Sequence, residues 1–156
     1  MTMLGQIAAL VALMGTGIVY GTDVFCALVQ RSALARVDDA TLTAIMGNLH
    51  RFADRRMPAP GILGVIAAGT ASVLAAVAGR PAASAAAGTA FLLLVAWVLL
   101  YLRVSAPINR RLTAAADAHR TPAAVRSWQR DWDRVIVPRA ILQGLAVLAL
   151  GVSLIS

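Results

Sequence analysis

The chain has 156 residues, of which 60% are hydrophobic, and its mean hydropathy is +0.77. That is too apolar for an ordinary soluble domain, and the length suits one domain covering residues 1–156. The net charge of +7 comes wholly from arginine, since the chain has no Lys and no Glu. These arginines flank apolar stretches, which points to membrane topology rather than nucleic acid as the reason for the basic balance.

The remaining charges are sparse where the chain is apolar. Asp23 is the only charged side chain over residues 1–30, Arg80 the only one over 61–102, and Arg139 the only one over 135–156. A soluble helix needs a charged face along its length; these stretches have none. Residues 3–30 are predicted as the first span, long enough at ~1.5 Å per residue to cross ~30 Å of hydrocarbon with tilt. No basic segment precedes this run, so it reads as a retained span and not a cleaved leader. Cys26, the lone cysteine, lies inside it and reads as a small buried apolar residue.

After the first span, Asp38 or Asp39 is expected to cap a helix running through Arg56, with Pro58 and Pro60 interrupting it before a second span over 61–79. Gly79-Arg80-Pro81 is a tight turn into a third span over 82–102, where Trp97 and Tyr101 suit an interfacial end. Thr121-Pro122 reads as a helix start, a cap followed by proline at the first helical position. That helix is expected to run into a fourth span over 136–155, with a bend at Pro138. The fold class is therefore all-α: a four-transmembrane-helix up-down bundle with helical extensions. The two long connections hold five and seven arginines, against Arg80 alone in the short turn. The positive-inside rule puts the extensions in the cytoplasm and both termini outside the cell (inner) membrane.

Up-down topology brings the costly polar residues to one end of the bundle. Asp23 closes the first span, His50 and Asp54 precede the second, Asn109 follows the third, and Arg139 and Gln143 open the fourth. Thr16, Tyr20 and Asp23 share a helical stripe, as do Trp128, Trp132, Val135, Arg139 and Gln143, with Asp131 beside the latter. Charges at membrane depth face the bundle interior or a wet cavity, and Asp23 and Arg139 are natural partners. The pair serves either as a register-fixing ion pair or in a functional role. His50 and Asp54, four residues apart, read as a base with an orienting carboxylate, as part of a metal site, or as a solvated helix face. His119 is expected in a solvated loop. No phosphate loop, nucleophile elbow or zinc-protease motif occurs.

Three segments carry a family resemblance. Ala106-Pro107-Ile108-Asn109-Arg110-Arg111-Leu112 resembles the segment ending the third span of the anthrone oxygenase-like membrane proteins, a family described as a domain of unknown function. Trp128-x3-Trp132-Asp133-Arg134, followed by Arg139, resembles the lead-in to their last span, with Asp133 near a usual Asn. Gly21-Thr22-Asp23-Val24-Phe25, Ala33-Leu34 and Met57-Pro58 look like their first half, although His50 and Asp54 stand where many members have other polar residues.

The resemblance implies O2-dependent oxidation of an anthrone, a flat phenolic ketone, to a quinone. In that scheme His50 is the base and Asp54 orients it. Arg139, with Asn109, stabilises the enolate oxygen, and Asp23 positions Arg139. Trp128, Trp132, Tyr20 and Gln143 hold the flat apolar substrate. The cofactor stays open: none, or iron or manganese on His50, Asp54, Asp23 and Asp131. A different class is a non-enzymatic membrane module, either a small-molecule binder, an exporter or an assembly partner. The Gly-rich first span and Ala-rich third span leave room for a homo-oligomer.

Overall fold

The computed structural model describes residues 2–156, and every regular element among them is helical. Helix α1 covers Met3–Phe25 and passes through a π-helical turn, Cys26–Gln30, into the short α2, Arg31–Leu34. Then come α3 (Asp39–Arg56), α4 (Pro58–Val77) and α5 (Pro81–Leu100). A second π-helical turn, Tyr101–Ser105, leads into α6 (Ala106–Asp117), and α7 (Val125–Ile155) closes the chain.

Among the described residues, four rods are long and apolar enough to cross a membrane: Met3–Leu34, Pro58–Val77, Pro81–Asp117 and Val125–Ile155. The chain is a membrane protein built as a four-helix bundle. Around the bundle, α1 packs on α4, α4 on α5, α5 on α7, and α7 on α1, so chain neighbours are spatial neighbours, as in an up-down bundle. At 37 residues, the third rod is about 55 Å long, well beyond the ~30 Å hydrocarbon core. The surplus forms a second storey, in which α3 lies against α6.

Local chemistry explains most boundaries. Asp38 caps α3 by accepting from the Thr41 N–H at 2.7 Å, which holds its carboxyl below the usual carboxylate range. Met57 alone separates α3 from α4, and its own N–H still reaches Ala53 O at 2.8 Å. Helix α4 ends in a Schellman motif at Gly79, whose φ of 67° is the left-handed conformation glycine supplies. Pro81 then opens α5 at its first position.

The expected start at Thr121-Pro122 is corrected. Helix α7 begins at Val125, whose N–H reaches back to Pro122 O at 3.0 Å. Helix α6 has just ended in another Schellman motif, with His119 at φ 48° and Arg120 N–H on Ala115 O, and the chain uses Thr121–Ala124 to turn round. Three span limits also move. The first rod continues to Leu34, the second runs Pro58–Val77, and the third is unbroken to Asp117. Pro138 lies inside α7 on its exposed side.

The core differs between the storeys. Toward the short turn it is made mostly of small residues: Ala9, Ala12, Ala68, Ala71, Ala87 and Ala90 are all fully buried, beside Leu94 and Leu150. Without a hydrophobic drive between helices in lipid, small residues permit the close backbone contact that holds them together. A Cβ on Gly15 would stand 2.7 Å from Pro60 O, so α1 and α4 touch there backbone to backbone. The extension core holds bulkier residues, including Leu42, Met46, Leu112, Trp132 and Ile136.

Candidate functional site

A layer of buried polar side chains lies between the two storeys. It is built on α1, α3, the second π-turn, α6 and α7. At its centre Arg139 grips Asp23 with two parallel bonds, Nη2 to Oδ1 at 2.8 Å and Nε to Oδ2 at 3.1 Å. This fork geometry is what arginine offers a carboxylate. Arg139 Nη1 donates to Ser105 Oγ at 2.8 Å, and Gln143 Nε2 donates to Asp23 Oδ2 at 2.6 Å. All four residues are buried. The guanidinium also stands over the Tyr101 ring at 5.5 Å and the Trp132 ring at 5.9 Å, so two aromatic faces flank the charge.

A second network adjoins the first. Asp54 Oδ1 accepts from Tyr101 Oη at 3.0 Å and from Asn109 Nδ2 at 2.9 Å. Asn109 Oδ1 accepts from the Trp132 indole N–H at 3.0 Å. Tyr101 and Trp132 therefore belong to both networks. They bond to the Asp54–Asn109 pair through their polar tips and face Arg139 with their rings.

His50 sits beside this second network with 2% of its surface exposed, its ring 5.7 Å from that of Trp132. Burial pushes its pKa down to about 4, with Asp54 opposing and Arg139 reinforcing the shift. The imidazole is therefore neutral at pH 7. Its Nε2 is buried without a hydrogen-bond partner among the described residues.

The sequence-derived set divides accordingly. Asp23, Arg139 and Gln143 come together, and so do Asp54, Asn109 and Trp132, with His50 against Trp132. The expected His50–Asp54 dyad is not joined by a hydrogen bond; Tyr101 and Asn109 take the carboxylate instead. Asp131 faces solvent and pairs with Arg134 at 3.1 Å, so it does not turn inward. Among the described residues no three His, Cys, Asp or Glu side chains are grouped to hold a metal ion, so His50, Asp54, Asp23 and Asp131 form no ligand set. Trp128 is half-buried outside the layer, under Arg111. Tyr20 lies on the bundle surface, its ring against Gly144, in an apolar groove of about 580 Å³ between α1 and α7. Another groove, of about 410 Å³, lies between α3 and the α6–α7 loop and includes Asn48, Arg51 and exposed His119. Neither groove is lined by His50, Asp54 or Arg139.

Tyr101, Ser105 and Trp97 are the residues that sequence reasoning missed. Trp97 and Tyr101, expected at the end of the third span, turn inward against the polar layer, with Tyr101 half-buried. Trp97 is buried, and its indole approaches Asp23 without closing a bond of normal geometry. The available signal was spacing: Tyr101, Ser105 and Asn109 follow one another at four-residue steps. No family model, no curated protein and no solved structure matches the chain.

Proposed function

We propose that this chain is a membrane-embedded oxygenase-like protein that oxidises a flat phenolic substrate of the anthrone type with O2. The observation carrying this reading is His50: a buried, neutral imidazole with Nε2 unengaged, in the same layer as Arg139. Family resemblance supplies the reaction, and the layer supplies groups suited to it.

The substrate has an acidic CH2 opposite its carbonyl. His50 Nε2 takes one proton from that carbon and leaves an enolate. A guanidinium has five N–H groups, and Asp23 and Ser105 occupy three of them, so about two remain for the enolate oxygen. The electron-rich enolate reduces O2 by one electron, and the resulting radicals combine into a C–O bond. The hydroperoxide takes back the His50 proton. Loss of the second C–H proton and of hydroxide, together one water, leaves the quinone. Substrate CH2 and O2 are thus balanced by C=O and H2O. Asp54 acts on His50 through the electrostatic field and not through a direct bond, and the reading uses no metal. Because the layer is closed at rest, substrate has to part the side chains around Trp132 to reach His50.

In the same reading the protein lies in the cell (inner) membrane, with the arginine-rich storey in the cytoplasm and both termini outside. Its partners are O2 and an apolar aromatic small molecule, and the small-residue faces allow a homo-oligomer. The test is anthrone-dependent O2 uptake by purified protein. His50→Gln and Arg139→Gln should each lower it at least tenfold. Folded variants with undiminished uptake, or a wild type with none, would sink the proposal.

One observation favours a second reading, a non-enzymatic membrane module. Both Asp23 oxygens are bonded within a sealed layer, as a structural clamp requires. Proton-coupled transport in proteoliposomes, lost in Asp23→Asn, would support an exporter instead of the enzyme.

A further inference from the structure

We propose that the groove between α1 and α7 is a binding site for one anionic phospholipid, with an acyl chain in the groove and the phosphate on Arg31 and Arg134. The inference is independent of the oxygenase reading. Three features set this groove apart from a plain lipid-facing surface.

The first is depth. Ala27, Ala140 and Gly144 contribute little side-chain bulk, while Leu28, Ile141 and Leu148 stand exposed around them, leaving about 580 Å³. The groove extends from Tyr20 to Leu28 along the first rod, roughly 12 Å at 1.5 Å per residue, which matches much of an acyl chain.

The second is where the groove ends. Leu28 on the first rod and Val137 on α7 mark its end toward the second storey. Arg134 precedes Val137 by three residues, one turn beyond the groove on the same stripe of α7, and Arg31 follows Leu28 by three across the end of the first π-turn. Both are exposed, and Arg31 is within electrostatic reach of Asp133 on α7, which places it on this side of the bundle.

The third is local charge. Asp131 pairs with Arg134 through an exposed i,i+3 contact, and Asp133 accepts from Gln129. Exposed Arg130 lies one turn before Arg134, so three arginines face two carboxylates. An exposed ion pair is weak and yields readily to a phosphate, which an arginine fork binds well. A hydrocarbon slot that ends under a cationic excess fits an anionic lipid better than a zwitterionic one.

The test uses native mass spectrometry of the purified full chain in detergent, with added phosphatidylglycerol or phosphatidylcholine of identical acyl chains. The wild type should retain roughly fivefold more phosphatidylglycerol, the preference expected from basic side chains at a membrane surface. The exposed double variant R31Q/R134Q should bind both lipids equally. Ala140→Phe, which fills the groove, should reduce retention of both lipids while keeping the ratio. Should that variant fail to fold, Val137→Trp at the exposed mouth serves the same purpose. Equal retention by the wild type, a preference that survives R31Q/R134Q, or retention unaffected by filling the groove overturns the proposal.

Discussion

Asp23 and Arg139 are each expensive at membrane depth, and each is tolerable only because the other is there. Removing one partner leaves a buried charge with half its bonds, which in a protein interior costs about 3–5 kcal/mol. Asp23→Asn and Arg139→Gln should each lower stability on that scale, as read by loss of helicity on titration with a denaturing detergent. Asp23→Leu with Arg139→Met should recover much of the loss, because replacing both members of a buried pair with apolar groups is often near neutral. Additive losses in the double variant would show that the two residues do not act as a pair. His50 gives a prediction in pH. Its pKa falls from 6.5 to about 4 on folding, so the unfolded chain binds the proton more readily. Stability from this group is complete above pH 6.5 and declines as pH falls toward 4, by up to roughly 3 kcal/mol. His50→Gln should lose that part of the acid sensitivity, visible as a flatter stability profile between pH 6.5 and 4 than the wild type gives. At this scale the sequence was partly legible. Asp23 with Arg139 could be paired because charge in an apolar span demands a partner. The Asp54 bonds to Tyr101 and Asn109 were not legible, because they join residues 47 and 55 positions apart through side-chain directions that periodicity does not carry.

At the scale of elements, hydropathy located all four crossings, since ~20 apolar residues in lipid have little alternative to a helix. Two features escaped it. The start of α7 fails because the chain uses residues 121–124 to turn round after the Schellman end of α6, so the helix begins only at Val125. The π-turns fail because a wider turn adds one residue to an otherwise regular helix and leaves composition unchanged. The second has a visible cause in Pro107, whose ring crowds the carbonyl of Arg103 four residues earlier. The first contains no proline and has none within α2, so that cause does not apply to it. Both turns adjoin the polar layer, where π-turns often mark functional sites. Helix contacts give a sharper test, because Gly15 and Gly17 lie two residues apart on one helix. A Cβ at Gly15 meets Pro60 O at 2.7 Å and Gly64 N at 3.0 Å, whereas a Cβ at Gly17 meets nothing within 4 Å. Gly15→Ala should therefore cost about 1–3 kcal/mol by forcing α1 off α4. Gly17→Ala should leave stability unchanged or raise it by up to about 1 kcal/mol through helix propensity. Thermal melting in one detergent compares them directly, and equal effects would mean that α1 and α4 are not in backbone contact.

At the scale of the whole molecule, the two storeys have different solvents. The lower core is mostly alanine and glycine, with Leu94 and Leu150 among them, as close contact in lipid favours, and its outer face is ringed by Ile18, Ile66, Leu92 and Leu148. The upper core has the bulk of a soluble protein interior, with Leu42, Leu112 and Trp132, and its outer face carries nearly all the arginines. Arg31, Arg103 and Arg134 on the first, third and fourth rods, and Arg56 just before the second, fall where exposed apolar residues give way to exposed charge, as expected at the level of the headgroups. The polar layer straddles this level, with Asp23, Arg139 and Gln143 on its apolar side and His50, Asp54 and Asn109 toward the second storey, so its desolvation is less costly than at mid-membrane. This arrangement fixes an expected orientation, because arginine-rich segments stay on the cytoplasmic side. In a Cys26→Ala background, Ala78→Cys beside the short turn should react with a membrane-impermeant maleimide on intact cells. Thr121→Cys, in the loop between α6 and α7, should react only after lysis. The reverse pattern would invert the topology. Labelling of both sites on intact cells would contradict a crossing between them, since α5 alone separates the short turn from the extension that carries this loop. The expected pattern leaves His50 on the cytoplasmic flank of the bilayer, where a proton taken from substrate can be returned without crossing the apolar storey.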